Sequence, residues 1–329
     1  MRCIFMTFGT LLTSLTLLAQ WSSDVLTGYE AREVDQGSDY SGPVVSTIVR
    51  RQSPCANRRG VLYVHGFNDY FFQKEMADRF VDSCYSFYAV DLRKYGRSIR
   101  PEQKQFQVRD MHEYFADIDS AVVQMKNDGI DDIVLIGHST GGLTSALYMS
   151  EHPDPSIRSL ILNSPFLDWN LGGVMECAVP AVAAVGKIFP NMRISQGNST
   201  AYSESLMKKD HGEWEYNTEW KLEQSPDVDA GWVRAIHRVQ QALQSGKRSI
   251  AVPVLLMHSD ASISDGEWNE AYQKADGVLD VRDIAKYGRR LGPFVDEATI
   301  KHGLHDLVLS SPEIRETVYD TIFKWLDRH

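Results

Sequence analysis

The sequence predicts an α/β protein in which a mostly parallel sheet carries helices on both faces. Strand-length apolar runs recur along the chain and alternate with segments of helical periodicity, which is the pattern of a sheet buried on both sides. Hydrophobic residues make up 43% of the 329 residues and charged residues 24%, so the composition excludes disordered and collagen-like classes. The length fits one large domain that carries an insertion.

Seven apolar runs are interpreted as core strands. They are residues 44–49, 61–64, 87–90, 133–136, 160–162, 252–257 and, with a weaker pattern, 299–303. A helix is predicted between the third and fourth runs, where apolar residues recur at helical spacing from Met111 to Met125 and Asn127-Asp128-Gly129 ends the pattern. A final helix is predicted from Pro312, so that the chain ends on a helix packed against the sheet.

Residues 166–250 interrupt the alternation of strands and helices. They lack a strand-like run, hold four of the seven tryptophans and include an Ala/Val-rich helix candidate at 178–188. We therefore predict an α/β core at 21–165 and 251–329 with a helical cap at 166–250. Connections of this length often act as lids, although the aromatic residues could instead pack a small core of their own.

Charge and cysteine usage exclude several classes of function. The chain has 34 Lys and Arg against 44 Asp and Glu, a formal net charge of -10, which argues against nucleic acid as a partner. The four cysteines show neither paired spacing nor metal-ligand spacing, so no metal site and no disulfide framework are predicted. They are Cys3, Cys55, Cys84 and Cys177.

The N-terminus resembles an export signal. After Arg2 no charged residue occurs before Asp24, and residues 4–19 are mostly apolar. Residues 1–20 are therefore predicted to be a signal peptide cleaved after Ala19, with an uncleaved N-terminal anchor or an unstructured start as alternatives. The most apolar later segment, 172–189, contains Glu176, Pro180 and Lys187, so it is not predicted to span a membrane.

A nucleophile elbow is predicted at Ser139. The sequence GHSTGG at 137–142 follows the strand 133–136 and precedes a helix-forming segment. Glycines two residues before and two residues after the serine fit this tight turn, because larger side chains would clash there. The alternative is a glycine-rich turn with a structural serine.

The other parts of such a site have candidates in the expected chain order. Strand 61–64 ends in His65-Gly66-Phe67-Asn68, so the backbone N–H groups of Phe67 and Thr140 are predicted to form an oxyanion hole. The general base should follow the last strand and precede the final helix, which selects His305 among the ten histidines. His65 is expected to have a structural role.

Together these motifs make the chain resemble the α/β-hydrolase superfamily, in its monoacylglycerol lipase and lysophospholipase-like branch, which is often grouped with serine aminopeptidases. The resemblance covers roughly residue 21 to the C-terminus and rests on HGFND at 65–69, DLRKYGRS at 91–98, GHSTGG at 137–142, LNSPF at 162–166 and GLHD at 303–306. It implies the α/β-hydrolase fold with an eight-stranded, mostly parallel sheet and a helical cap. It also implies ester hydrolysis through an acyl-enzyme and no cofactor. Residues 68–72, NDYFF, depart from the continuation usual in monoacylglycerol lipases.

Two aspartates compete for the role of the triad acid. Asp260 follows the strand 252–257 almost immediately, where the acid of this fold normally lies. Asp276 is favoured because the residues after it reproduce the order that the family resemblance implies: a small apolar pair, a second Asp at 280 and a helix at 283–291. This choice requires 262–274 to be an insertion between strand and acid.

The sequence thus predicts a serine esterase or lipase with Ser139, His305 and Asp276 as catalytic residues, no metal and no cofactor. The expected substrate is a small-molecule ester, in particular a lipid-derived monoester such as a monoacylglycerol or a lysophospholipid. A carboxylesterase for small esters and a peptidase of the same fold are alternatives. A non-catalytic binding module is a third. No obligate protein partner is evident, and the protein is predicted to be exported.

Overall fold

The computed structural model describes residues 20–329, and residues 1–19, where the signal peptide is predicted, lie outside the described residues. The strands are β1 (Ser22–Ser23), β2 (Glu30–Asp39), β3 (Gly42–Arg51), β4 (Arg59–Val64), β5 (Ser86–Asp91), β6 (Asp132–His138), β7 (Ile157–Asn163), β8 (Arg193–Ile194), β9 (Val228–Asp229), β10 (Val254–Ser259) and β11 (Val295–Ile300). The α-helices are α1 (Lys74–Asp82), α2 (Phe115–Asn127), α3 (Thr140–Glu151), α4 (Gly173–Val185), α5 (Ala201–Leu206), α6 (Ala230–Gln244), α7 (Val281–Gly288) and α8 (Pro312–Leu326).

Nine of these strands form one sheet in the order β1-β2-β3-β5-β4-β6-β7-β10-β11. The pairs from β1 to β5 are antiparallel, and all pairs from β5 to β11 are parallel. The sheet confirms the α/β-hydrolase fold, with one strand more than the expected eight, the two-residue edge strand β1. Because parallel strands end at the same edge, the loops after β4, β6, β10 and β11 meet there.

Each face of the sheet is buried under its own helices. Residues of β4 alternate between the two sides, Leu62 and Val64 packing with α2, α3 and α6, and Val61 and Tyr63 packing with α1 and α8. This alternation is the period-2 pattern of a strand. Within residues 20–329 we find no helix with the length and apolar character needed to cross a bilayer.

Two predictions of element boundaries were wrong. The run 299–303 belongs to a strand only as far as Ile300, because the chain turns at His302, which has φ +60°. Helix α4 begins at Gly173 rather than at 178, with Pro180 inside it. The strand β2 was not predicted, since its residues are mostly polar and only partly buried.

The sequence predicts no disulfide framework, but the structure contains a disulfide. Cys55 and Cys84 are bonded, with Cα atoms 5.5 Å apart and a sequence separation of 29. The bond links the loop before β4 to the turn before β5. These positions are distant in sequence and adjacent only because β4 and β5 pair in the sheet, so spacing could not reveal it. Cys177 is unpaired and exposed.

Candidate active site

Ser139 lies in a sharp turn between β6 and α3 and has the unfavourable backbone angles φ +52° and ψ −117°. Such strain in a residue other than glycine persists only where the surroundings enforce it. Here the surroundings are tight. A Cβ atom on Gly137 would lie 2.7 Å from the carbonyl oxygen of Gly141, and a Cβ on Gly141 would overlap the carbonyl oxygens of Val64 and His65. The glycine spacing is therefore a steric requirement of the turn.

The turn after β4 passes directly over the nucleophile turn. A Cβ atom on Gly66 would lie 3.1 Å from Cβ of Ser139. Within residues 20–329 neither the N–H of Phe67 nor that of Thr140 is recorded as donating a hydrogen bond. Thr140 opens α3, where helix N–H groups are free to bind an anion. Both N–H groups are therefore available as hydrogen-bond donors near the Ser139 turn.

His65 has the structural role expected from the sequence. Its Nε2 accepts a hydrogen bond from the Leu92 N–H at 3.1 Å, and its Nδ1 lies 2.8 Å from the Gly66 carbonyl oxygen. Because Nε2 accepts, the proton of a neutral ring belongs on Nδ1. Both nitrogens are occupied, so His65 holds the turn after β4 against the end of β5.

Asp276, and not Asp260, faces His305. The Nδ1 atom of His305 lies 2.9 Å from Oδ2 of Asp276. The second oxygen of Asp276 accepts hydrogen bonds from the N–H groups of Val278 and Leu279, each at 2.8 Å. Both side chains are buried. Both carboxylate oxygens of Asp276 are therefore hydrogen-bonded, and the bond to Nδ1 fixes the orientation of the His305 ring.

Residues 262–274, between β10 and Asp276, loop out as the choice of Asp276 required. The chain leaves the sheet after β10 and returns to pair with itself, through a backbone bridge between Ser262 and Asp276 and a hydrogen bond from Asp276 N–H to the Ala261 carbonyl at 2.8 Å. Asp260 is exposed and accepts a hydrogen bond from the His302 N–H at 2.8 Å. It shapes the turn after β11 and makes no recorded contact with His305.

His305 packs against the residue before the nucleophile. The ring centroids of His138 and His305 are 4.9 Å apart, and the ring of Tyr202, on α5, lies 5.7 Å from His305 on another side. No hydrogen bond between Ser139 and His305 is recorded in the described part of the chain, and catalytic bonds of this kind are often long without substrate. Burial lowers the pKa of His138 and raises that of Tyr202 well above its usual value.

Asn163, in the LNSPF motif, joins the nucleophile turn to the histidine loop, a role that the sequence analysis missed. Its carbonyl oxygen accepts from the Ser139 N–H at 3.1 Å, and its side-chain amide donates to Asp306 at 2.7 Å and accepts from the Leu307 N–H at 3.2 Å. The available signal was its place as the last residue of β7, at the same sheet edge as the other loops.

The DLRKYGRS motif holds the loop that follows the turn after β4. Asp91 accepts hydrogen bonds from the N–H groups of Phe71 and Arg97 at 2.9 and 3.0 Å, and the Arg97 guanidinium bridges Asp91 and Asp24. A Cβ atom on Gly96 would lie 2.5 Å from Cβ of Tyr70. The motif therefore contributes to positioning rather than to chemistry.

A buried polar cluster lies beside His305. Single ligand atoms of Asp69, His138 and Asp306 lie within 4.8 Å of one another, a spacing that could hold a cation. The ammonium of Lys221 already lies 3.0 Å from Asp69 Oδ1. We therefore interpret the cluster as an ionic network completed by the lysine ammonium.

The insertion between β7 and β10 contacts the site from several directions. The Phe166 N–H donates to the Ser139 carbonyl at 3.0 Å, and the Trp232 ring lies 4.8 Å from that of Phe67. The side chains of Ser139 and His305 are nearly covered, being 8% and 3% exposed. Cavities of about 550 and 350 Å³ lie elsewhere, and neither is lined by Ser139 or His305.

Comparison with known proteins decides the family. A sequence profile described as serine aminopeptidase, S33, matches residues 56–270. The chain belongs to this serine aminopeptidase S33 family. The matched residues include β4 and β6, which lead into the Phe67 turn and Ser139, and the match ends at Glu270. It agrees with the α/β-hydrolase resemblance of the sequence motifs.

Curated relatives of this S33 chain include lipid hydrolases. It is 22% identical over 235 residues to phospholipase YtpA of Bacillus subtilis, covering 66% of this chain and 86% of that protein. It is 30% identical over 128 residues to the probable lysophospholipase BODYGUARD 2 of Arabidopsis thaliana, covering 36% of this chain but only 26% of that protein.

Solved structures confirm the fold of the S33 chain. A soluble variant of monoglyceride lipase from Saccharomyces cerevisiae superposes with a TM-score of 0.67 at 17% identity, covering 91% of this chain and 96% of that one. Monoacylglycerol lipase of Paleococcus ferrophilus gives a TM-score of 0.61 at 18% identity, covering 90% and 98%. Both superpositions show the α/β-hydrolase fold that the motifs predicted.

Proposed function

We propose that the protein is a serine hydrolase that cleaves carboxylic esters through an acyl-enzyme. The observation that carries the proposal is the strained Ser139 turn, closed by its glycines, at the same sheet edge as the buried His305–Asp276 pair. Ser139 attacks the ester carbonyl while His305 accepts the seryl proton and later donates it to the leaving alcohol. Water then attacks the acyl-enzyme, with His305 accepting the proton of the water and returning it to Ser139 as the carboxylic acid leaves.

Each remaining residue supports one step of this reaction. Asp276 accepts a hydrogen bond from His305 Nδ1–H, which leaves Nε2 as the proton acceptor and stabilises the imidazolium that forms. The N–H groups of Phe67 and Thr140 bind the oxyanion of the tetrahedral intermediate. No metal or cofactor is needed for these steps.

We further propose that the substrates are lipid-derived monoesters such as monoacylglycerols or lysophospholipids. The proposal is supported by aromatic side chains that the insertion places beside the nucleophile. Phe166, Trp169 and Trp232 are buried; the Trp169 ring packs on the other two, and Trp232 packs on Phe67. An acyl chain requires such an apolar wall. The phospholipase and monoacylglycerol lipase relatives agree with this substrate class.

One substrate panel tests both proposals. Purified protein is assayed with p-nitrophenyl esters of increasing chain length, monoacylglycerol, lysophosphatidylcholine and a dipeptide amide, beside a fluorophosphonate probe. We expect probe labelling that Ser139→Ala abolishes, and highest kcat/KM on a long-chain monoester. Preference for acetyl esters would indicate a small-ester carboxylesterase, and preference for the amide a peptidase. Turnover of none, with no labelling, would indicate a binding module.

We also propose that the protein is exported. The Cys55–Cys84 disulfide supports this, because such bonds persist mainly in oxidising compartments. The apolar segment 4–19 supplies a candidate signal. Fractionation of cells that express the full chain, with mass measurement of the recovered protein, tests the proposal. Recovery of uncleaved, reduced protein from the cytoplasm would contradict it.

A further inference from the structure

The turn that carries Phe67 is held by the insertion. The Asn68 side chain makes a reciprocal pair with the backbone of Leu222: its Nδ2 donates to the Leu222 carbonyl at 2.8 Å, and its Oδ1 accepts from the Leu222 N–H at 2.7 Å. The Tyr70 hydroxyl accepts from the Asn217 N–H at 2.8 Å. Segment 217–222 thus contacts the turn at both ends.

The conformation of this turn depends on such support. Asn68 has φ +49°, in the left-handed region that is unfavourable for residues with a side chain, although Asn tolerates it better than most. The two bonds to Leu222 use both ends of the Asn68 amide, so they help to fix the backbone directly after Phe67. Displacement of 217–222 would remove that support.

Between these contacts lies a buried ion pair. Lys221 Nζ is 3.0 Å from Asp69 Oδ1, and the two side chains are 9% and 2% exposed. The other carboxylate oxygen of Asp69 is buried without a recorded partner among the described residues. A buried carboxylate without its counter-ion is strongly unfavourable. The only ammonium found against Asp69 within residues 20–329 belongs to the insertion.

The pair faces several ionisable groups from neighbouring elements. His138, on β6, is influenced by Asp69 and Lys221 as well as by Asp306 and His305. The tyrosines that face Asp69 are buried phenols whose pKa values are raised, so they add no charge near neutral pH. They are Tyr63, Tyr70, Tyr95, Tyr202 and Tyr216.

We propose that Lys221 is a positioning residue of the active site. Its ammonium neutralises the Asp69 carboxylate and holds the 67–70 turn. As a result, the Phe67 N–H faces the oxyanion only while the insertion is docked. This rests on the proposed function, in which Phe67 is an oxyanion donor. Ser139 and His305 are nearly covered, and in this proposal the insertion moves to admit substrate. Lys221 therefore couples closure of the insertion to completion of the oxyanion hole.

Three variants test the proposal: Lys221→Met, Asp69→Asn and the double variant. Lys221→Met should lower kcat on the preferred ester by up to about 10²-fold with little change in KM, since a misplaced oxyanion donor affects the transition state more than substrate binding. Asp69→Asn should cost less. The double variant should recover much of the activity lost in Lys221→Met, because no buried charge is left unpaired.

A purely structural role would not reproduce the expected charge effects. Loss of the lysine charge should move the acid limb of the kcat/KM profile to higher pH, and loss of the aspartate charge should move it to lower pH. In the inactive Ser139→Ala background, NMR titration should show the pKa of His138 raised by Lys221→Met and lowered by Asp69→Asn. Movement in one direction for both variants, or none, would overturn the proposal.

The controls separate this proposal from the proposed function. Lys209→Met removes another lysine of the insertion, one that is exposed and paired with Glu223, and should leave both kcat and the pH profile unchanged. If Lys221→Met does not fold, Lys221→Gln and Asp69→Asn give the same test. The NMR arm requires no turnover, so it judges the Lys221–Asp69 pair even if no ester is cleaved.

Discussion

His305 Nδ1 lies 2.9 Å from Asp276 Oδ2, and the other oxygen of Asp276 is held by two backbone N–H groups. An aspartate fixed in this way sets the tautomer of the imidazole, because Nδ1 must carry the proton. Nε2 is then free to accept the proton of Ser139. The role of general base depends on this geometry.

Asp276→Asn should therefore lower kcat by up to about 10⁴-fold, because an amide can donate to Nδ1 and stabilise the wrong tautomer. Asp260→Asn is the matched control, since Asp260 bonds only to backbone near His302. Its effect on kcat should be much smaller. Steady-state kinetics of both proteins on one ester checks the prediction, and the reverse ranking would contradict the role of Asp276.

Gly141→Ala should inactivate and destabilise the protein. Its methyl group would overlap the carbonyl oxygens of Val64 and His65, so the turns after β4 and β6 must separate. Overpacking of this kind costs about 1–3 kcal/mol. Gly266→Ala is the control, because a Cβ there meets nothing within 4 Å. Urea unfolding and probe labelling should distinguish them, and normal labelling of Gly141→Ala would disprove the steric account.

Stability should decrease as the pH falls below about 6.5. Burial lowers the pKa of His138, so the unfolded state takes up a proton at a pH where the folded state does not. The free energy of unfolding then falls with pH through this window. His138→Asn should reduce the slope. Urea titrations between about pH 5 and 7.5 measure it, and equal slopes for the two proteins would show that His138 does not cause the loss.

Residues whose role is set by local chain geometry could be predicted from the sequence. Ser139 and its glycines are close neighbours in the chain, and the steric demands of the turn appear directly in their spacing. His305 followed from its place between the last strand and α8. The strand β2 could not be predicted, because an edge hairpin needs no continuous apolar face.

Contacts between distant segments could not be predicted. Asp69 and Lys221 are 152 residues apart in sequence and meet only when the insertion folds back over the sheet edge. The Cys55–Cys84 bond depends in the same way on the pairing of β4 with β5. For Asp276 the sequence indicated the partner of His305 through the order of residues after it and through the spacing to His305, because the loop 262–274 leaves no periodic pattern.

The Cys55–Cys84 disulfide should contribute measurably to stability. Cross-linking positions 29 residues apart restricts the unfolded chain, and the chain-entropy relation gives about 3–4 kcal/mol for a loop of this size. The double variant Cys55→Ser, Cys84→Ser should lose roughly that free energy of unfolding, and dithiothreitol should have no further effect on it. Cys177→Ser is the control. Unchanged stability of the double variant would show that the bond is not formed in solution.

Trp232→Ala should impair long-chain esters more than short ones. The indole packs on Phe67 at 4.8 Å and on Trp169 at 6.0 Å, so it joins the oxyanion turn to the aromatic side chains near Ser139. If an acyl chain lies along these rings, removal of one of them loses apolar contact that an acetyl group never makes. kcat/KM should then fall further for a decanoyl than for an acetyl p-nitrophenyl ester.

The ratio of the two kcat/KM values isolates this effect from general damage. Displacement of Phe67 would reduce both rates through the oxyanion hole and leave the ratio unchanged, whereas loss of an acyl-chain contact lowers the ratio. Trp21→Ala is the matched control, since Trp21 packs on Arg50 beside the edge strand β1, and it should alter neither rate. An unchanged ratio in Trp232→Ala would place the acyl chain elsewhere and would remove the main structural support for a lipid-derived substrate.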